Sequence, residues 1–313
     1  MAVMIIHISA TGVTDYIRGS IPNILMIIIN RSMQYVTPLF IFLSGVTSFY
    51  GKEHKKFNYF NFLKKKMIKI LIPYFIWCII YYIVYVRLGF YAFDIVHFIK
   101  GVIIGGLSYH FYFIIIIVQL YILAPLFYYS LKNVKWKIPL LFIFAIITAL
   151  CVQFLRLKFS SRIFLRYMFF YILGIYVSLE YEKYEVWVKK HLNLLFTGYI
   201  ILCLIYSLSY FYNLKIYSLI WFVFSTVSIL FVNSAGLLLK ETLDKIYGFI
   251  KLFGQSSYYI YLIHPLILTI LTNITKGITS VSMKLIIYSV VVIPVSIILS
   301  ISYTLIKNKY KHN

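Results

Sequence analysis

Long apolar runs separated by short charged stretches recur along the whole chain, and they constrain its fold more than any other feature. A helix that crosses the hydrocarbon core of a bilayer needs about 20 apolar residues. Runs of roughly this length lie at residues 34–51, 70–88, 110–130, 138–155, 163–180, 193–212, 216–236, 256–274 and 284–306. Because the segments between them are too short to fold alone, residues 1–313 are predicted to form a single integral-membrane domain.

A shorter apolar segment, Met1 to Ala10, precedes these runs and reads MAVMIIHISA. It has about half the length that a spanning helix needs, and a polar, loop-like stretch beginning TGVTDYIRGS follows it. Either the first helix is truncated or the segment packs as a short re-entrant piece, and the first alternative is favoured. The predicted fold is therefore an all-α, polytopic transmembrane bundle of about ten helices whose first helix is truncated.

The composition supports a membrane protein and argues against a nucleic-acid-binding one. Hydrophobic residues make up 62% of the chain, against about 45–50% in ordinary globular proteins. Lys and Arg number 30 against 8 Asp and Glu, and the basic residues lie between the apolar runs, where the positive-inside rule places them. The loop KEHKKFNYFNFLKKKMIK carries most of this signal and predicts a cytoplasmic C-terminus. The three cysteines lie inside apolar runs, so no metal site is expected.

Ionisable residues inside apolar runs are candidates for function, because burying them in a bilayer is costly. Four such residues are His7, His110, Arg166 and His264. The alternative for each histidine is an interfacial or packed side chain that donates a hydrogen bond to a backbone carbonyl. Pro265 follows His264 directly, so the helix is predicted to kink or break there.

Several stretches, taken together and in order, resemble membrane acyltransferase family 3, the integral-membrane O-acyltransferases. Three of them are NRSMQYVTPLFIFLSG (Asn30 to Gly45), FLKKKMIKILIPYFIW (Phe62 to Trp77) and SSYYIYLIHP (Ser256 to Pro265). The run HFYFIIIIVQLYILAPL is similar to the family's fourth-helix motif, and YMFFYILGIYVS to its mid-chain helix that ends in a Leu-Gly pair. The resemblance covers nearly the whole chain.

The resemblance implies an acyltransferase with acyl-CoA, in the simplest case acetyl-CoA, as its cytoplasmic donor. It implies an acceptor hydroxyl on a cell-envelope polysaccharide or lipid-linked sugar, and a multi-pass location in a bacterial plasma membrane. Other proteins of envelope polysaccharide synthesis are possible partners. His7 matches the family's essential histidine, whereas the arginine expected eleven positions earlier would precede Met1 and is missing here.

The resemblance also implies a donor-binding site at Lys66 and Lys69, which precede Pro73 and Tyr74. The family has arginines at the matching positions, where they are expected to hold donor phosphates. Lysine keeps the positive charge but lacks the bidentate guanidinium fork, so donor binding is expected to be weaker or differently oriented. The alternative is that both lysines only follow the positive-inside rule.

Acyl transfer to an alcohol needs a base for the hydroxyl proton, and neutral imidazole suits this role near pH 7. We therefore expect His7 to act as general base or as a transient acyl carrier. Ser44, His110, Arg166 and His264 are candidates to line the substrate cavity, although Ser44 stands beside Gly45, where small residues also let helices pack closely. Two other functions stay open: a transporter or flippase for an envelope glycan precursor, and a non-catalytic accessory protein of glycan synthesis.

Overall fold

The computed structural model describes residues 1–51, 57–242 and 244–310, and of residues 240–242 and 244–247 only the backbone is described. Part of the basic loop that predicts the topology lies outside the described residues. The lysines concerned are Lys52, Lys55 and Lys56. The orientation of the chain in the membrane stays a prediction.

Over the described residues the chain forms fourteen α-helices, joined by short turns and 3₁₀ segments. Their bounds are Ala2–Asp15 (α1), Ile21–Ser32 (α2), Val36–Phe49 (α3), Tyr59–Arg87 (α4), Ile95–Ile104 (α5), Tyr112–Ile122 (α6), Ala124–Lys132 (α7), Lys137–Phe154 (α8), Met168–Leu179 (α9), Tyr181–Lys190 (α10), Leu192–Phe211 (α11), Tyr217–Thr242 (α12), Asp244–Ile274 (α13) and Val281–Lys309 (α14).

Seven helical stretches in the described part of the chain are long and apolar enough to cross a bilayer. Helices α6 and α7, bent by 52° at the break between them, make an eighth when they are counted as one span. Helices α1 and α9 are apolar but shorter, with 14 and 12 residues. The predicted all-α, polytopic transmembrane bundle is confirmed.

The first 32 residues depart from the prediction. Helix α1 does not end at Ala10 but continues to Asp15, and the hydroxyl of Thr14 donates to the Ala10 carbonyl 3.2 Å away. The predicted loop also ends early, because α2 begins at Ile21. Ser20 caps this helix by accepting a hydrogen bond from the Asn23 amide, and a proline stands in its first turn. A Ser before a helix and a Pro in its first turn both mark the start of a helix, whereas the sequence prediction assigned these residues to a loop.

Helix α13 is not broken at Pro265. It runs from Asp244 to Ile274 with the proline inside it. A proline removes one backbone hydrogen bond, and long membrane helices tolerate this loss when nearby groups satisfy the freed carbonyl. His264 is therefore presented from a continuous helix.

The chain divides into two compact units. Unit 1 comprises residues 1–34, 203–212 and 235–313, and unit 2 comprises residues 35–202 and 213–234. In unit 1 the apolar side of α1 packs against α13 and α14. The buried cluster that joins these three helices consists of Ile8, Leu268, Tyr288 and Val292.

Unit 2 contains a close backbone approach between α3 and α9. A Cβ added at Gly45 would lie 2.3 Å from the Tyr171 carbonyl oxygen, and one added at Gly174 would lie 2.1 Å from the Phe42 carbonyl oxygen. Only glycine fits at either position without moving a backbone. Small residues allow such contacts between membrane helices, so the glycines bring α3 and α9 together.

Candidate active site

Two of the candidate histidines meet in unit 1, His7 on α1 and His264 on α13. Their rings stack with centroids 5.4 Å apart and planes inclined by 28°. His264 is fully buried, and its Nδ1 lies 2.7 Å from the Ile260 carbonyl oxygen. Because a carbonyl can only accept, Nδ1 carries the hydrogen, and in the neutral ring Nε2 then holds the lone pair. The pair thus combines a tautomer-fixed imidazole with a second imidazole beside it.

Helix α1 is held against α2 by two asparagines that donate to its backbone. The Asn30 Nδ2 lies 2.7 Å from the Ile6 carbonyl oxygen, directly before His7, and 3.0 Å from the Ser9 hydroxyl. One face of α2 also carries Asn23, whose Nδ2 donates to the Val13 carbonyl at 3.0 Å. Asn30 is buried, and its role in fixing the histidine helix was not predicted, although it opens one of the resemblance motifs.

Arg31 is a cation inside a candidate membrane span, and it was not among the predicted site residues. Its guanidinium carbon lies 3.6 Å from the ring centroid of Tyr210 and 5.9 Å from that of Tyr206, both on α11. Cation–π contact with desolvated rings stabilises such a charge by about 2 kcal/mol. The signal in the sequence was an arginine inside the otherwise apolar stretch ILMIIINRSMQYV.

In unit 2, Ser44 and Lys66 meet at one tyrosine, Tyr121 of α6. The Ser44 and Tyr121 hydroxyl oxygens are 2.5 Å apart, and the Lys66 Nζ lies 4.9 Å from the Tyr121 ring centroid. Lys66 is half-buried, whereas Lys69 is exposed. The two lysines therefore stand in different surroundings. Tyr121 was not predicted, because nothing in the spacing distinguishes it among 31 tyrosines.

His110 is packed away from this tyrosine. It is buried, and its Nδ1 lies 3.1 Å from the Ser108 hydroxyl, which in turn lies 3.2 Å from the Tyr85 hydroxyl. His110 and Tyr121 are eleven residues apart on or beside α6, which corresponds to about 16 Å along a helix. The structure therefore does not bring His110 to the Ser44–Tyr121 pair.

Arg166 closes a 3₁₀ segment, Phe164–Arg166, that docks on α6. The docking runs through Gln119, whose Nε2 donates to the Arg162 carbonyl at 2.9 Å and whose Oε1 accepts from the Phe164 amide at 3.0 Å. This clamp holds the backbone ahead of Arg166, so Gln119 positions the segment that carries this arginine.

Within the described ranges, no three His, Cys, Asp or Glu side chains come together in a way that could hold a metal ion. A neutral imidazole, such as those of the histidine pair, can take up or give up a proton near pH 7.

Comparison with known proteins identifies the family. The model of acyltransferase family 3, described as an acyltransferase domain, matches residues 1–303. Searches of the curated proteins and of the solved structures gave no significant match. A match over nearly the whole chain, together with the membrane-spanning helices, shows that the chain belongs to acyltransferase family 3 and is a multi-pass membrane acyltransferase.

Proposed function

We propose that the protein is an O-acyltransferase that moves an acyl group from cytoplasmic acyl-CoA to a hydroxyl of a cell-envelope polysaccharide or lipid-linked sugar. An acetyl group from acetyl-CoA is the simplest donor. The observation that carries the proposal is the contact of His7 with His264, because acyl transfer to an alcohol needs a base and the family match spans the helices that bear both rings.

In the proposed reaction the acceptor oxygen attacks the thioester carbonyl while the neutral imidazole of His7 takes the hydroxyl proton. The tetrahedral intermediate collapses, the carbon–sulfur bond breaks, and the thiolate leaves and takes up the proton. The products are the glycan ester and the free thiol of coenzyme A. The ring of His264, with its hydrogen fixed on Nδ1 by the Ile260 carbonyl, orients His7 from one side.

The proposed donor site lies at Lys66 of unit 2. A CoA donor carries several phosphate charges, and a half-buried lysine is a suitable partner because it is less screened than an exposed one. The Tyr121 ring contacts this lysine, and the hydrogen bond to the Ser44 hydroxyl holds the tyrosine in place. Lys69, which is exposed, contributes to the same charge from the solvent side. From the positive-inside rule, we propose that the Lys66 end of α4 and the C-terminus face the cytoplasm. The membrane proposed is a bacterial plasma membrane.

The test is ester formation in cells. The complete reading frame that encodes the chain is expressed in a host lacking the gene, and alkali-labile O-acyl esters on the envelope glycans are quantified. His7→Ala is compared with His97→Ala, an exposed histidine on α5. Esters that form with the wild type and His97→Ala but not with His7→Ala are expected. If the amount of ester is the same for the wild type and both variants, the role of His7 is excluded. If no ester forms with any of the three proteins, a flippase or an accessory protein is favoured.

A further inference from the structure

An apolar groove of about 530 Å³ lies in unit 2, and its lining contains neither a histidine nor Lys66. Residues of four helices, α8, α9, α10 and α12, line it. Its size falls within the range of ligand sites in proteins. Representative lining residues of α8, α9 and α12 are Leu141, Phe142, Phe169, Leu173, Val223 and Val227.

The length of the groove matches one leaflet of a bilayer. The lining on α12 runs from Phe222 to Leu230, which at 1.5 Å per residue is about 12 Å. The lining on α9 runs over a similar length, from Phe169 to Tyr176. One leaflet contributes about 15 Å of hydrocarbon. The groove is thus long enough for most of the length of one acyl chain in a leaflet.

The α10 part of the groove lining has the residue types of a membrane interface. Helix α10 contributes Tyr184, Trp187 and Lys183 to the lining, and Trp and Tyr are enriched where a membrane meets water. The Lys183 side chain is 83% exposed, and its Nζ lies 2.9 Å from a Glu180 carboxylate oxygen. Lys137 also pairs with Glu180. Two lysines share one carboxylate, so the group keeps a net positive charge that complements a phosphate.

We propose that this groove binds a membrane phospholipid, with one acyl chain between α8 and α12 and the phosphate at Lys183. The apolar side chains of the lining pack along the chain, and the lysine fixes the depth of the headgroup. The inference is independent of the acyl-transfer proposal, because none of the groove residues belongs to the histidine pair or to the Lys66 site.

The first experiment needs no variant. The protein is reconstituted with a phospholipid that carries a photoreactive diazirine in its acyl chain, and labelled residues are mapped by mass spectrometry. We expect labelling of Leu173 and Val223, which line the groove, to exceed that of Ile146, a more exposed residue on α8 that does not line it. Equal labelling of the three residues would overturn the proposal, because it would show only general contact with lipid.

The second experiment counts bound lipid by native mass spectrometry of the purified protein. Ala145→Phe fills the groove and should abolish the retained phospholipid, whereas Ala149→Phe, one turn along α8 and outside the lining, should not. Lys183→Ala should weaken binding about fivefold, corresponding to roughly 1 kcal/mol per lysine near a membrane surface, and Lys190→Ala should not. Retention unchanged by Ala145→Phe contradicts the site. Retention of a polyprenyl phosphate instead of a phospholipid contradicts the assigned occupant.

Discussion

Replacing Gly174 by alanine should destabilise the protein by separating α3 from α9. The new Cβ would lie 2.1 Å from the Phe42 carbonyl oxygen, and ordinary contact begins near 3.4 Å, so the two backbones must move apart by about 1.3 Å. The atoms that the new Cβ would meet are backbone atoms of α3, which cannot rotate away as a side chain can. The cost is therefore about 3 kcal/mol, at the upper end for overpacking. Alanine recovers about 1 kcal/mol of helix propensity. The expected net loss is about 2 kcal/mol.

The assay is thermal unfolding of the purified protein in detergent, followed by the transfer assay at a permissive temperature. For a chain of 313 residues, a loss of about 2 kcal/mol corresponds to a fall in Tm of about 3 °C. Gly254→Ala is the matched control, because its added Cβ meets nothing within 4 Å and the same propensity gain should raise Tm slightly. Activity should also fall in Gly174→Ala, since α3 carries Ser44. A Tm for Gly174→Ala at or above that of the control would refute the packing argument.

The remaining predictions concern the donor site, the histidine helix and the charged end of unit 2. Lys66→Ala should raise the Kd for acyl-CoA about tenfold in equilibrium binding, and the exposed Lys64→Ala should change it little. Asn30→Leu should lower the free energy of unfolding by about 1–3 kcal/mol in denaturant titration and reduce transfer, because the Ile6 carbonyl and Ser9 hydroxyl lose their donor. Ion pairing, above all with Lys137, lowers the pKa of Glu180 below its ordinary 4.5. The resulting stability is present above pH 4.5 and lost as pH falls through the lowered pKa, so wild type and Glu180→Gln should differ in Tm at pH 7 and converge in acid.

The membrane helices could be predicted because each spanning segment leaves a long apolar run in the sequence. The predicted run 138–155, for example, corresponds to α8, and 193–212 to α11. Short helices leave no such signal. Helices α5 and α10 have only 10 residues each, and α2 begins inside a Gly-Ser-Ile-Pro sequence that resembles a loop. Those three elements were therefore missed.

The candidate site could be predicted in residue type but not in arrangement. His7 and His264 were both selected because ionisable side chains are rare in apolar helices, yet no spacing rule relates helices at opposite ends of a chain. The contact of Lys66 with Tyr121 depends on the packing of α4 against α6 and is likewise invisible in the sequence. Helix packing through Gly45 was foreseen as an alternative for its neighbour Ser44, but its partner on α9 was not.

The most direct test of the account is transfer of a labelled acyl group from acyl-CoA into the glycan fraction of membrane vesicles that contain the protein. The account predicts that His97→Ala retains the wild-type rate and that His7→Ala loses at least about 100-fold, the usual contribution of a general base. Since both variants remove one imidazole, the comparison isolates the position of the ring. A His7→Ala rate equal to that of His97→Ala would contradict the assignment of His7 as the base.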